Sequence, residues 1–238
     1  MPESALNVYE QVYTDSPLGE TLHPGGLALT NQALMLAGLP VNAKIVDIGC
    51  GTGTTLYYLQ SLGYNAAGVD ISSVLLCSSL SQGSRLDIMQ ADAPRLPLAS
   101  TSMDAILVEC SLSEFTPLSE VLTEFNRVLT PPGRMIITDL YARNPSGLPE
   151  VRKKFPSSCL SRAFIQSDLF EALSQTGFTV TTWQDRSDVV KSLSSGRMLT
   201  TFSGPAATEY DPMDILLVLV GARLGYFICI AGKNGQTF

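Results

Sequence analysis

Histidine occurs once in this 238-residue chain, at His23, so no site can draw on more than one imidazole. Cysteine is sparse and scattered: Cys50, Cys77, Cys110, Cys159 and Cys229 form no CxxC pair and no Cys/His cluster. An odd count at wide spacing excludes a disulfide framework and a zinc site, and a reducing cytoplasm is the expected compartment. No metal is expected. Positive charge is also scarce, with 15 Lys+Arg against 22 Asp+Glu and a net charge of −7. The densest basic run is Arg152-Lys153-Lys154. Nucleic-acid binding needs a cationic surface to displace counterions, so the balance points to a small-molecule or protein substrate. No apolar run reaches the ~20 residues that cross a bilayer. The nearest, Ile215–Ile230, is broken at Arg223 between Gly221 and Gly225 and reads as a buried helix followed by a buried strand. Met1–Glu10 carries acid and no apolar core, which does not suit a signal peptide. Nothing in the composition sets an oligomeric state.

What is present is alternation. Short β-rich runs at Lys44–Ile48, Asn65–Val69, Arg85–Gln90, Met103–Glu109, Arg134–Tyr141, Phe178–Trp183 and Tyr226–Ala231 are separated by helical patterns. The helices are expected over Leu27–Leu39, Thr54–Leu62, Val74–Leu80, Leu118–Leu129, a stretch capped by Ser167 and ending at Gln175, and Pro212–Ala222. Strands that alternate with helices form parallel βαβ units, and short uniformly apolar strands are those covered on both faces. The expectation is one Rossmann-like α/β domain over residues 1–238. Residues 1–26 would form an N-terminal cap, 40–141 a cofactor-binding half and 142–238 a substrate-side half. Asn144–Arg162 and Val190–Thr208 lack a clear period. They read as lid-like excursions over the carboxyl edge of the sheet, where ligands bind in open α/β folds.

The residues that carry chemistry sit at that edge. Asp47-Ile48-Gly49-Cys50-Gly51-Thr52-Gly53 leaves one strand and opens a helix. Glycines there let backbone approach a ligand without a Cβ. The G-x-G-x-G spacing differs from the G-x-G-x-x-G of dinucleotide sites and argues against an NAD enzyme. An acid beside the loop suits a ligand bearing ammonium and sulfonium charge, whereas a phosphate site prefers Lys or Arg. A bare turn would need one glycine. Asp70, followed by Ile71, ends the second strand about twenty residues on, where a carboxylate meets ribose hydroxyls; a helix cap is its plainer role. Asp92 and Ala93 follow the third strand, where an acid can accept an adenine amino group beside a small neighbour. Glu109 and Cys110 end the fourth strand, between cofactor and substrate.

On these residues the sequence resembles the class I S-adenosylmethionine-dependent methyltransferase superfamily, especially its small-molecule branch with the ubiquinone/menaquinone enzymes. The match runs through the Asp47–Gly53 loop, Asp70, Asp92, the strand Asp104–Val108, and Glu124–Leu129 with the turn Pro131–Arg134. It covers Lys44–Tyr141 well and the C-terminal third by strand pattern alone. His23-Pro24-Gly25-Gly26 before a helix is similar to a little-characterised bacterial subgroup. The resemblance implies a seven-stranded sheet with the last strand antiparallel and S-adenosylmethionine as cofactor. It also implies methyl transfer to a small-molecule acceptor by in-line displacement. A non-catalytic sensor or scaffold that keeps the pocket is the alternative. A general base is needed only for a protonated acceptor. The candidates are His23, Glu114 and Tyr141, each with a plain structural role beside it: helix start, solvated acid and packed lid tyrosine.

Overall fold

The computed structural model describes residues 10, 21, 23–80, 86–156, 158–191 and 220–234. Helix α1 (Gly26–Ala37) precedes β1 (Lys44–Ile48) and ends at Gly38, whose left-handed backbone returns its N–H to Leu34 and Met35. There follow α2 (Thr54–Ser61), β2 (Asn65–Asp70), α3 (Ser73–Leu80), β3 (Asp87–Gln90) and β4 (Met103–Glu109). Helix α4 (Leu118–Val128) leads into β5 (Leu129–Ala142), followed by α5 (Leu148–Lys154), α6 (Gln166–Gln175) and β6 (Phe178–Asp185). The short α7 (Ser187–Lys191) and β7 (Leu224–Lys233) complete the set.

The strands form one seven-stranded sheet in the order β3-β2-β1-β4-β5-β7-β6. The first five pair in parallel, while β7 runs antiparallel to both β5 and β6, between which it lies. The expected antiparallel last strand is present, and it is inserted rather than added at the edge. Side chains alternate across the sheet, so each strand feeds two cores. Ile45, Leu107, Ile136 and Ile228 meet Leu29, Ala33 and Leu34 of α1 and Leu56 and Leu59 of α2. Val46, Val108, Ile137 and Phe227 meet Val121, Leu122 and Phe125 of α4 and Leu169 and Leu173 of α6. Burial at 121, 122, 125 and 128 is the helical period that the sequence showed.

Three local expectations are corrected. Pro131-Pro132-Gly133 does not separate helix from strand. The chain is already in β5 at Leu129, paired with Met103, and the residues between bulge outward before Arg134 pairs with Ala105. A proline has no N–H to give the ladder, so a bulge is where the sheet tolerates it. Ser167 is not a cap: α6 begins at Gln166, and the Ser167 hydroxyl bonds Asp168 instead. The segment expected as an irregular excursion, Asn144–Arg162, holds α5 between two short 3-10 turns. Its Leu148, Val151, Phe155 and Leu160 are buried in the α1-side core. The helix expected over Pro212–Ala222 lies outside the described residues except for its last turn. Most of Val190–Thr208 lies outside them as well. Among the described residues no helix is long and apolar enough to cross a membrane.

Candidate cofactor and acceptor site

Strands β2 and β4 flank β1, so the chain order reverses there. A crevice opens at the carboxyl ends of the strands at such a point. The glycine loop leaves β1 into it. The N–H groups of Gly49 and Cys50 both donate to the Val69 carbonyl, at 2.8 and 3.1 Å, hooking the loop onto the end of β2. Gly49 lies against Ser111 after β4, and a Cβ there would come within 2.7 Å of the serine oxygen. Gly51 takes φ +53°, in the left-handed region. Cys50 turns its thiol away from the loop's open side onto Gly68 of β2, and burial pushes that thiol's pKa up. Its contribution to the loop is backbone.

Asp70 closes the other side of the loop. Its Oδ2 accepts the Gly51 N–H and its Oδ1 accepts the Ser72 N–H, both at 2.8 Å. Each oxygen keeps a lone pair for a further donor. Burial raises its pKa, and the backbone N–H groups of Ser72, Gly51 and Ile71 oppose that rise. The sequence left Asp70 between ligand contact and helix cap; the cap of α3 is Ser72, whose hydroxyl accepts the Leu75 N–H at 3.2 Å. The same hydroxyl donates to Glu10 at 2.6 Å. On the neighbouring strand the Ala91 N–H bonds the Asp70 carbonyl, and Gln90 reaches the Ile71 carbonyl. This brings the β3 end, with exposed Asp92 and buried Ala93, alongside Asp70.

Glu109 is the centre of the third group. Its side chain is 4% exposed. Thr30 of α1 donates to both of its oxygens, at 2.9 and 3.2 Å, and Thr55 at the start of α2 donates at 3.2 Å. His23 Nε2 lies 3.4 Å from Glu109 Oε2, without the geometry of a hydrogen bond. Asp47, 3% exposed, projects from β1 on the same face. Burial holds its pKa well above the usual carboxylate range, and repulsion from Glu109 and Asp70 adds to this. Three carboxylates therefore surround the loop, and among the described residues no Lys or Arg pairs with any of them.

Beyond Glu109, Cys110 takes φ +53° and donates its N–H to the Thr138 carbonyl. Its thiol is pushed up by burial and by nearby Asp139, and it bonds to the Tyr226 hydroxyl, which also meets Thr138 at 3.3 Å. Asp139, fully buried, accepts from the Ser113 N–H and hydroxyl and from the Leu140 N–H. Burial raises its pKa to about 6 despite those donors.

The structure does not bring the three base candidates together. His23 joins the Glu109 group. Glu114, expected as a solvated acid or base, is 1% exposed in a 3-10 turn and ion-paired with Arg162. Tyr141 belongs to the core on the opposite face of the sheet, edge-on to Trp183 and Phe227. Burial and the neighbouring Asp185 push its pKa to about 12. Sequence reasoning missed Thr30, Thr55, Asp139 and Tyr226; Ser72, read as one of two possible caps of the helix over Val74–Leu80, is that cap. Two carried a readable signal: Thr30 interrupts the apolar face of α1, and Asp139 interrupts an apolar strand. Among the described residues no group of His, Cys, Asp and Glu is arranged to hold a metal ion.

Residues 46–137 match the family model described as a methyltransferase domain. Over 136 residues the chain is 35% identical to the uncharacterized methyltransferase YodH of Bacillus subtilis, covering 56% of this chain and 57% of that one. It is 28% identical over 123 residues to the ubiquinone/menaquinone biosynthesis C-methyltransferase UbiE of Campylobacter jejuni, covering 49% and 52% of the two chains. The chain thus spans about half the length of the curated relatives it matches. A putative sarcosine dimethylglycine methyltransferase from Galdieria sulphuraria shares its fold at a TM-score of 0.75, with 15% identity over 97% of this chain and 98% of that one. Residues 46–137 are thus similar to a methyltransferase domain, and the chain has the fold of the solved methyltransferase.

The residues present fit S-adenosylmethionine as cofactor. A glycine loop with left-handed backbone offers close approach to a ligand. Asp70 keeps acceptor capacity on both oxygens, and a cationic ligand would relieve the repulsion that Glu109 and Asp70 exert on Asp47.

Proposed function

We propose that this chain binds S-adenosylmethionine at the glycine loop and transfers its methyl group to a small-molecule acceptor. The observation that carries the reading is the set of Asp47, Asp70 and Glu109 around the loop with no paired Lys or Arg among the described residues. Such a set repels phosphate and attracts a ligand that brings ammonium and sulfonium charge. In this reading Asp70 accepts the ribose hydroxyls, Asp92 and Ala93 border the adenine, and Asp47 and Glu109 face the methionine end. Gly49, Gly51 and Gly53 keep the loop low enough for close approach, with Cys50 supplying backbone only. The cofactor supplies an activated methyl group, so the protein's main task is to orient the acceptor in line and exclude water. Positioning of that kind is worth ~7–11 kcal/mol of barrier. The acidic net charge and the lack of a long basic run support a small, non-nucleic-acid acceptor, and five free thiols suit a reducing cytoplasm.

The test has two parts. Calorimetry with S-adenosylmethionine and S-adenosylhomocysteine should show one site per chain. Incubation with methyl-labelled cofactor and metabolite pools, read by mass spectrometry, should give S-adenosylhomocysteine and a labelled product. Absence of binding removes the reading; binding without S-adenosylhomocysteine formation in any pool leaves a sensor or scaffold.

A further inference from the structure

We propose that the cationic rim formed by Arg143, Arg223 and the C-terminal turn of α5 docks a protein with an acidic face at the mouth of the crevice. One step, the place of Glu109 beside the methyl group, rests on the cofactor reading above; the docking itself does not.

Charge is unevenly spread along this chain, which carries 15 Lys+Arg against 22 Asp+Glu. Five of those cations fall in the twenty residues from Arg143 to Arg162, against one acid, Glu150. Folding brings up another. The N–H and Nε of Arg143 both donate to the Arg223 carbonyl, at 3.4 and 3.1 Å. The two arginines, both exposed, therefore stand together where β5 ends and β7 begins. A Cβ on Gly147 would lie within 2.6 Å of the backbone of Gly221 and Ala222, so the start of α5 is pressed onto the same place. At its far end, about 10 Å along the helix axis, Arg152 and Lys153 are exposed, and Arg152 Nε donates to the Ser161 carbonyl at 3.2 Å. Arg162 is no part of the rim, because Glu114 takes its charge.

The acids nearby do not cancel the rim. Asp185 comes no closer to Arg143 than 3.9 Å, beyond hydrogen-bond distance. Glu150 sits in the first turn of α5, where the helix dipole favours an acid. The same dipole favours a cation in the last turn, for ~0.3–1 kcal/mol. It gives no reason for Arg143 and Arg223, which lie outside the helix.

Two observations favour a protein over a small anion. The first is what accompanies the cations. Val220, 63% exposed, precedes Arg223, and Pro145 and Pro149 are exposed at the start of the α5 segment. Arginine interleaved with exposed apolar side chains suits a protein interface, whereas a small ligand is oriented by a few polar groups that converge on it. The second is height. Glu109 pairs with Thr138, and β5 runs on for four more residues to Ala142. At ~3.3 Å per residue, Arg143 stands roughly 15 Å beyond the end of β4. A small acceptor held there would not reach a methyl group beside Glu109, whereas a docked protein can hold a group out over the crevice. The edge is acidic at β1, β2 and β4, through Asp47, Asp70 and Glu109, and basic at β5 and β7. An acidic face can settle on only one half of it.

The probe is a fluorescein-labelled helical peptide rich in Glu with Leu along one face, titrated with the full chain and read by anisotropy. The wild-type chain should bind it at low salt, and more salt should weaken binding severalfold, because exposed charges are screened. Lys153→Glu and Arg223→Glu, each checked for folding by thermal melt, should each raise Kd about tenfold, since like charges then face each other. Arg134→Glu, an exposed reversal at the opposite end of β5, should change Kd less than about twofold. No binding at low salt overturns the proposal, as do equal losses in Arg134→Glu and Lys153→Glu. An oligothymidylate of equal charge that binds as tightly also overturns it, leaving an unspecific anion surface. Displacement of the peptide by citrate at constant ionic strength does the same in favour of a small-anion site. Calorimetry with S-adenosylhomocysteine reports the cofactor reading separately: peptide binding without cofactor binding keeps the docking surface and removes that reading.

Discussion

Replacing Asp70 separates the proposed ligand contact from a loop staple. In the free protein its two oxygens accept the Gly51 and Ser72 N–H groups at 2.8 Å each. Asp70→Ala strands those donors, but both lie at a partly buried edge where water can replace the carboxylate. The stability cost is then about 1–3 kcal/mol, which lowers Tm by roughly 2–10 °C in a chain of this length. With Asp70 holding the ribose as proposed, the variant should also lose charge-assisted bonds to its hydroxyls, ~1.5–3 kcal/mol, or roughly ten- to a hundred-fold in Kd. Asp70→Asn keeps one acceptor oxygen but turns an NH2 toward a backbone N–H, so it should fall between wild type and alanine on both measures. Acidification gives a second handle. Burial raises the folded pKa of Asp70, so the hydroxyl-accepting carboxylate is lost as pH falls through that raised value, earlier than for an ordinary Asp. Calorimetry with S-adenosylhomocysteine, paired with thermal melts, reads both effects. A variant whose Tm falls while its Kd stays within threefold of wild type would refute the ribose role and leave only the staple.

Three further outcomes are expected. Gly51→Val puts a branched residue at φ +53° and should cost ~1–3 kcal/mol in strain while abolishing S-adenosylhomocysteine binding; normal calorimetric binding would mean that the loop is only a turn. Asp139 has a folded pKa of about 6 against an ordinary 3.8, so the folded state holds the proton more tightly, and the associated stability is full below pH ~4 and lost as pH rises to ~6. At ~1.4 kcal/mol per unit, urea unfolding should show Asp139→Asn gaining about 3 kcal/mol relative to wild type between pH 4 and 7, and a pH-independent difference would count against the burial argument. Glu124 is held below the ordinary carboxylate range by its hydrogen bonds from Arg127. It also accepts the Leu96 N–H, while Arg127 bonds the Leu96 and Leu98 carbonyls. Glu124→Gln should cost about 1 kcal/mol after allowance for the exposure of Arg127, an advantage present above the ordinary Glu pKa and lost as pH falls through the depressed one; equal unfolding midpoints at pH 7 and pH 3 would sink that pairing.

Strands and helices were legible where period and punctuation agree. Met103–Glu109 is a strand at the residues expected, and α2 starts at Thr54, directly after the glycine loop, as expected. Local rules failed where tertiary contacts outweighed them. Pro131-Pro132-Gly133 reads as a stop, yet pairing of Leu129 with Met103 starts β5 before it. Asn144–Arg162 reads as a lid, because its buried residues Leu148, Val151, Phe155 and Leu160 are spread over short turns too brief to show a period.

For the site, the sequence by itself determined the glycine loop and the strand-end positions of Asp70, Asp92 and Glu109. These follow from backbone requirements and from where a strand stops, both local properties. Only the tertiary structure decided which groups meet. Thr30, Thr55 and His23 reach Glu109 across 79, 54 and 86 positions of chain because α1 and α2 cover the same face of the sheet. Tyr141 faces the opposite core because side chains alternate along β5, and an odd position there points away from α1. Glu114 becomes buried because Arg162, 48 residues on, folds back to pair with it. A sequence states which side chains can bear charge or give a proton. Which of them share a dielectric, and so which repel, pair or shift, is set by the packing of distant segments on one sheet.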